Sequence, residues 1–230
     1  MRRSVSTDYQ ARTLSADCIA PISLGFIGAM PPSLKSHTVH LRTSRLRLRP
    51  MTDADWDILL RWNQDPDVLY YADGADVTAY TLDQIKRIYG GISQAAFCFI
   101  AELDGQPIAE AWLQAMNLSR IIEAYPGCDC RRIDLSIGEK QYWNKGLGTE
   151  IIRALVDFGF SEEKAELIFA CDIADYNPRS RAAFAKVGFQ VVAHIAQPPG
   201  GKAHSICDMR IAQTEWAAST NSSEDTDLCA

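Results

Sequence analysis

Apolar and polar positions alternate near residue 41 and then give way to a helical rhythm. From Leu41 to Arg49, Leu46 and Leu48 share one face while Arg45, Arg47 and Arg49 share the other, the period of a strand half exposed to water. Pro50 ends it. Thr52 has the side chain of a helix N-cap, Asp55 three residues on approximates a capping box, and Trp56, Leu59, Leu60 and Asn63 continue at helical spacing until Pro66. A second helix is predicted over Leu82 to Tyr89, stopped by Gly90-Gly91. Phe97 to Leu103 and Ile108 to Met116 read as strands of a hairpin. Asp104-Gly105 between them suits a two-residue turn, in which both central positions need positive φ.

The second half continues the alternation of element types. Arg131 to Gly138 is a strand with Ile133, Leu135 and Ile137 on one face and Asp134 and Ser136 on the other. Gly146 to Phe160 is a helix whose Leu147, Ile151, Leu155 and Phe158 form one stripe. Leu167 to Ile173 is a buried strand. Asn177-Pro178 opens a helix with a cap and a first-turn proline, and Gly188 closes it where a left-handed residue is usual. Phe189 to Ile195 and His204 to Ala212 are strands flanking the turn Pro198-Pro199-Gly200-Gly201. The order of strand, two helices, three strands, helix, strand, helix and two strands predicts an α/β fold, a mixed sheet with helices on both faces. There is no internal repeat. The domain is expected over 41–214, with residues 1–40 a disordered N-terminal extension and 215–230 a flexible acidic tail.

Composition narrows the function. The chain has 230 residues, 47% hydrophobic and 23% charged, which suits one globular domain with a substantial core. The net charge of −6 argues against a nucleic-acid partner and is compatible with a cationic substrate, although general solubility would produce the same charge. No stretch is long enough to span a bilayer. Arg2 and Arg3 are separated by polar residues from a weakly apolar run, Cys18 to Met30, that Pro21, Gly25 and Gly28 interrupt, so it makes a poor secretory signal. The seven cysteines are odd in number and irregularly spaced, which predicts free thiols and a cytoplasmic location. Cys98 and Cys171 sit in apolar strands as core residues. Cys128-Asp129-Cys130 would be half a metal site, but no matching Cys or His pair stands at ligand spacing, and no metal is expected.

The chemistry concentrates in a strand, glycine loop and helix over 131–160. Gly146 and Gly148 let the backbone approach a ligand, and the loop runs into a helix whose first N–H groups lack intrahelical partners and would hold an anion. A plain tight turn before a helix would look the same. The loop lacks the Gly-Lys-Ser/Thr ending of a nucleotide-triphosphate loop and the third glycine of a dinucleotide fingerprint.

The segment Tyr142-Trp143-Asn144-Lys145-Gly146-Leu147-Gly148-Thr149-Glu150, followed about 30 residues later by Asn177 to Phe189, resembles the GNAT superfamily of acetyl-CoA-dependent N-acetyltransferases. Leu46-Arg47-Leu48-Arg49-Pro50 with Asp65-Pro66 is similar to the branch that holds ribosomal-protein acetyltransferases and aminoglycoside 6′-N-acetyltransferases. Tyr70-Tyr71 before Thr81-Leu82, and Phe99 to Ile108, are similar to features of the aminoglycoside enzymes. The resemblance covers residues 41 to 212. It implies a GNAT-type, mostly antiparallel central sheet and acetyl-CoA as co-substrate, held by Trp143, Asn144, Lys145, Gly146, Leu147, Gly148, Thr149 and Asn177. Backbone N–H groups near Ile137 would polarise the thioester oxygen. Asp134 stands at the spacing of the catalytic Asp and Asp172 at that of a substrate-binding Asp. Tyr70 and Tyr71 would stack on the acceptor, with Glu110, Glu123, Asp129 and Asp175 adding an acidic wall, though solvated loops explain those four as well. Asp134 can also be read as a solvent-facing strand residue, the lesser alternative, and Asp172 equally as a loop cap. Trp112 suits core packing, and His194 and His204 are structural.

Two departures from the family pattern matter. Trp143 stands where the family has Gln or Arg, which leaves phosphate binding to the backbone. Phe184 stands where the family often has the Tyr that protonates the departing thiolate, so water, Tyr176 or nothing fills that role. The resemblance implies a small cationic aminoglycoside as partner and a monomer or homodimer. Acetylation of a protein N-terminus, a polyamine or another small amine, and a non-catalytic acyl-CoA-binding regulator, stay open.

Overall fold

The computed structural model describes residues 32–73 and 77–218. Eight strands form one sheet: β1 (Leu41–Arg42), β2 (Leu46–Pro50), β3 (Ala96–Leu103), β4 (Gln106–Ala115), β5 (Cys130–Ile137), β6 (Leu167–Ala174), β7 (Gln190–Ala196) and β8 (Ser205–Ala212), in the order β1-β2-β3-β4-β5-β6-β8-β7. All neighbours are antiparallel except β5 and β6. The helices are α1 (Trp56–Trp62), α2 (Pro66–Ala72), α3 (Leu82–Ile92), α4 (Ser119–Ala124), α5 (Leu147–Ser161) and α6 (Pro178–Ala185). The mixed, mostly antiparallel sheet with helices on both faces is the expected fold.

The single parallel junction positions everything that follows. β5 and β6 pair only through Cys130↔Leu167, Arg131↔Ile168 and Arg132↔Phe169. Both strands then run on, to Ile137 and Ala174, without pairing to each other. The cause lies in β6, where Asp172 adopts a left-handed φ of 57° and the register to β8 slips between Ala170 and Ile173. A bulge of this kind bends its strand and locally ends pairing. The two strands therefore open as a wedge towards their C-terminal ends.

One face of the sheet carries the main core. Leu147, Ile151, Ile152, Leu155 and Val156 of α5 pack on Leu113, Ile133 and Ile168, and Phe184 of α6 joins them. Each fully buried aliphatic side chain contributes roughly 1.5–3 kcal/mol. On the other face α1 and α3 bury Leu59, Trp62, Ile85 and Tyr89 against Cys98 and Ile100, and α4 covers Phe169 and Cys171 with Leu118 and Ile121. Both cysteines expected in the core are buried.

Several elements differ from the sequence expectation. The long first strand is two strands, because Thr43 N–H bonds to Leu46 O at 2.9 Å and turns the chain so that Leu41 opposes Leu48. Pro66 does not end a helix but begins one, as the first residue of α2 behind an Asp65 cap that accepts from Asp67 N. α4 carries no capping side chain and was not expected at all. The expected extension is in part attached: Lys35 N–H bonds to Ser93 Oγ at 2.9 Å, and the His37 ring lies against Phe97 and Phe99 with Nε2 on Cys98 O at 2.8 Å. At the other end Trp216 is only 8% exposed and belongs to the main core, so the domain runs past the expected boundary at 214. Residues 1–31 and 219–230 lie outside the described residues.

A buried carboxyl sits between α3 and the sheet. Glu110 accepts from the Tyr89 hydroxyl, which also accepts from Asn63 Nδ2 at 3.1 Å. Burial pushes Glu110 up to about 7, against the opposing pull of the Tyr89 hydrogen bond. A carboxyl with a folded value above its ordinary 4.5 binds its proton more tightly in the folded state. Stability is then greatest below about 4.5, falls as pH rises through the window to about 7, and levels beyond it. In Glu110→Gln that window disappears. Urea titrations at pH 5 and pH 8 should show the wild type losing about 2 kcal/mol more between the two than the variant.

Candidate active site

The wedge between β5 and β6 leads to the glycine loop, and the segment before that loop is fixed by α1 and α2. Gly138 lies under the Trp62 ring, where an added Cβ would fall 2.1 Å from it, so no other residue fits. Trp62 Nε1 donates to Glu139 at 2.9 Å, and Lys140 Nζ bridges Asp65 and Asp67 at 2.9 and 2.6 Å. Trp143 then donates from its indole Nε1 to Ile137 O at 2.7 Å and ties the loop back to the end of β5. That side chain anchors the strand end, a role its substitution in the family pattern did not suggest.

Asn144 and Gly146 both take left-handed conformations, with φ of 61° and 77°. Such turns curl successive N–H groups into a concavity that suits an anion. α5 starts directly afterwards with no capping side chain on its N-terminus, so its first-turn N–H groups and its dipole face the same concavity. Arg45 holds the loop from behind, donating to Lys145 O at 3.1 Å and to Glu150 at 2.7 Å, while Thr43 also donates to Glu150. Against the pull of burial, these hydrogen bonds hold Glu150 below the usual carboxylate range. Arg45 was not singled out from sequence; its partners lie 100 and 105 residues away.

A cavity of about 380 Å³ opens in front of this concavity. Its walls include Ile137, Trp143, Asn144, Gly146, Gly148, Thr149 and Asn177, seven of the nine residues expected to hold the acyl donor. Lys145 and Leu147 turn away. The Lys145 ammonium lies over Tyr142, and Leu147 is buried in the core. A Cβ on Gly148 would meet Ile137 and Leu135 only at an ordinary 3.7 Å. Internal packing therefore does not demand this glycine, and the space it leaves belongs to the cavity. Asn177 caps α6 by accepting from Ser180 N at 3.2 Å and donates to Tyr71 O at 3.2 Å, so it positions walls. The third wall comes from α6, and from Tyr71, whose ring stacks on the guanidinium of Arg179. That guanidinium sits 4.0 Å from the Tyr71 centroid and 4.5 Å from that of Trp143. Arg179 was missed as well. The available signal was a cation in the first turn of a helix, where the dipole disfavours it unless another group holds it.

The residues expected on the acceptor side are placed differently. Asp134 is on the β5 face away from α5, as its alternation predicts, and opposite Trp112 of β4. Both its oxygens accept from Arg132, at 2.8 and 2.8 Å. The Trp112 indole nitrogen is buried with no hydrogen-bond partner among the described residues. Asp172 accepts from Arg120 at 2.7 Å, and Arg120 also holds the buried Asp208 through two bonds of 2.9 Å. Tyr70 is exposed and meets Tyr71 edge-on at 4.9 Å. Glu123 is exposed on α4. Asp129 precedes β5 and pairs with Arg131 at 2.7 Å. At about 3.3 Å per strand residue it lies roughly 26 Å from the Ile137 end, so it is not brought to the cleft. Glu110 is buried beneath Tyr89 and forms no surface wall, while the exposed Asp175 accepts from His204 N. Phe184 lines the cavity without a hydroxyl, and the Tyr176 hydroxyl is donated to Asp73 O at 3.2 Å. Among the described residues no cluster of His, Cys, Asp and Glu could hold a metal, and no helix is long and apolar enough to cross a membrane.

Comparison with known proteins agrees with this geometry. Residues 45–190 match the family described as Acetyltransferase (GNAT) domain. An aminoglycoside N(6′)-acetyltransferase type 1 of Klebsiella pneumoniae is 25% identical over 157 residues, which is 66% of this chain and 78% of that protein. Among solved structures, an aminoglycoside acetyltransferase in complex with coenzyme A and kanamycin superposes with a TM-score of 0.61 at 23% identity, covering 75% of this chain and 98% of the other. Spermidine N-acetyltransferase from Vibrio cholerae, in complex with coenzyme A and spermine, has a TM-score of 0.62 at 18% identity, covering 76% and 99%. The family match spans more than half of the chain and takes in the wedge, the glycine loop, α5 and α6, and the protein belongs to the GNAT acetyltransferase family.

Proposed function

We propose that the protein transfers the acetyl group of acetyl-coenzyme A to a primary amine of an aminoglycoside, the 6′-amine, and so acts as a resistance enzyme. The observation that carries the donor half of this reading is the uncapped N-terminus of α5 behind two left-handed loop residues, opening on the cavity at the end of the wedge. Backbone N–H groups of the loop would hold the pyrophosphate, which needs no side chain at Trp143 for charge. Beyond Arg132 the edge of β5 that faces β6 has no strand partner among the described residues, so an extended amide-bearing arm can add there as a strand would. The acceptor half is supported by the curated relatives that act on aminoglycosides and by Asp134 beside the wedge.

Acetyl-coenzyme A supplies an activated thioester. The amine must lose a proton to attack it, and Asp134 can accept that proton directly or through water. Arg132 occupies one lone pair on each Asp134 oxygen and leaves the second of each for the incoming ammonium. The nitrogen lone pair forms the new amide bond and the carbon–sulfur bond breaks; the second proton of the attacking nitrogen passes through water to the departing thiolate, while Asp134 returns the first to solvent. Phe184 cannot donate one, and the Tyr176 hydroxyl is engaged with Asp73 O.

Thiol release from acetyl-coenzyme A, followed with kanamycin, spermidine or a peptide as acceptor, tests the reading. Release with kanamycin alone supports it, release with another acceptor alone replaces the substrate, and release with none leaves an acyl-CoA-binding regulator as the surviving alternative. Asp134→Asn should lower turnover roughly 100-fold or more while calorimetry shows coenzyme A binding unchanged. Normal turnover would remove Asp134 from the base role. Gly148→Ala should move stability and binding in opposite directions. The new methyl meets only ordinary contacts and favours the helix by about 0.5–1 kcal/mol, yet it intrudes on the cavity and should weaken coenzyme A binding roughly tenfold.

A further inference from the structure

A second row of cations and rings lies beside the cavity. Lys202, in the loop between β7 and β8, reaches across to the end of α2. Its ammonium donates to Tyr70 O and, at 3.1 Å, to Asp73 O. It sits 4.3 Å from the Tyr70 ring centroid and 4.5 Å from that of Tyr176, and the two rings are 5.4 Å apart. Two π faces and two carbonyls from the C-terminal end of a helix make a receptor for a cation by three physical effects at once: ring quadrupoles, charge-assisted hydrogen bonds and the helix dipole. α2 places no basic residue of its own in its last turn, so the cation is supplied from elsewhere in the chain.

The position matters as much as the chemistry. Tyr70 packs on Tyr71, and Tyr71 forms the cavity wall. The box is thus one ring removed from the cavity in front of the glycine loop. An aminoglycoside carries several ammonium groups, and one bound at the reacting centre would bring others to this rim. We infer that Tyr70, Tyr176 and the carbonyls of Tyr70 and Asp73 form an ammonium subsite for the acceptor, which Lys202 fills in its absence and yields on binding. Lys202 is then a specificity-determining residue. Neutral amphiphiles or anions gain nothing by displacing it, whereas a polycation exchanges one ammonium for another. The inference rests on the reading of the acceptor as a polyamine-like aminoglycoside, but the box itself can be tested without that acceptor.

Truncation to Lys202→Ala removes a fragment equivalent to propylammonium. With the tyrosine rings isotopically labelled, propylammonium should shift the Tyr70 and Tyr176 signals saturably in the variant and leave those of the wild type unmoved at the same concentration, with 1-propanol inert in both. Lys202→Ser, which is too short to reach the carbonyls and so leaves the box open, keeps the measurement available if the alanine variant folds poorly. Absence of a saturable shift in a folded variant, or an equal response to 1-propanol, overturns the cation box. For the acceptor role, the KM for kanamycin should fall roughly fivefold in Lys202→Ala, with a smaller change in kcat. An unchanged or higher KM overturns that role. If neither protein acetylates kanamycin while propylammonium binds as stated, the box stands and it is the aminoglycoside reading that fails.

Discussion

Parallel strands are held together by slanted backbone hydrogen bonds, and when those bonds stop, each strand must find other partners for its edge or present it to solvent. β5 and β6 stop bonding after three residues because Asp172 bulges out of the ladder. The cavity and the glycine loop lie at the ends of the two strands beyond that break. The break exposes an edge of β5, makes room for the loop and α5 to turn in from one side, and lets α6 and the end of α2 close the other. The bulge is itself secured: Asp172 N–H bonds to Asp208 at 3.0 Å, and Arg120 clasps both carboxylates. The acidic residues at this place thus serve first to open the sheet.

On the proposed function, the pairing of acids with arginines changes how an acceptor cleft would work. A net charge of −6 suggests an open acidic funnel for a cation. The structure instead offers Asp134 already forked to Arg132 and Asp172 already bonded to Arg120. A bidentate guanidinium fixes the carboxylate's orientation, and a rigid carboxylate positions a proton better than a mobile one. The cost, on that proposal, is that an incoming ammonium would share its partner. Attraction is weaker, and recognition depends more on geometry and on rings.

Much of this was legible in the chain. The alternation through Ile133, Leu135 and Ile137 correctly puts Asp134 on the face away from α5, and the glycine loop leads into a helix as its spacing requires. Local patterns failed where one residue admits two local roles. Pro66 reads as a stop after α1 and is in fact the first residue of α2, because Asp65 in front of it supplies a cap. Leucine and arginine continue to alternate through a tight turn at Thr43, so β1 and β2 look like one strand. Long-range partners left no trace. Arg45 reaches a loop 100 residues away and Arg120 an aspartate 52 residues away, separations that no periodicity encodes. The Arg132–Asp134 pair was the exception, since residues two apart in a strand share a face and their opposite charges were there to be read.

The end of α2 gives the site a further property. Three of its carbonyls, from Tyr70, Tyr71 and Asp73, are held by side chains of Lys202, Asn177 and Tyr176, across sequence separations of 132, 106 and 103 residues. The loop in front of α5 combines one local fastening, Trp143 on Ile137, with long-range ones from Arg45, Trp62 and the Asp65–Asp67 pair. Closing a long chain segment carries an entropic cost that a local turn avoids, so the end of α2 is fastened only after the chain as far as the β7–β8 loop is in place. The same asymmetry operates in the finished protein. A segment fastened by a few side-chain bonds to helix-end carbonyls has lower local stability than the strand–helix core beside it, and through Arg179, which lies against both Tyr71 and Trp143, its motion is coupled to the glycine loop.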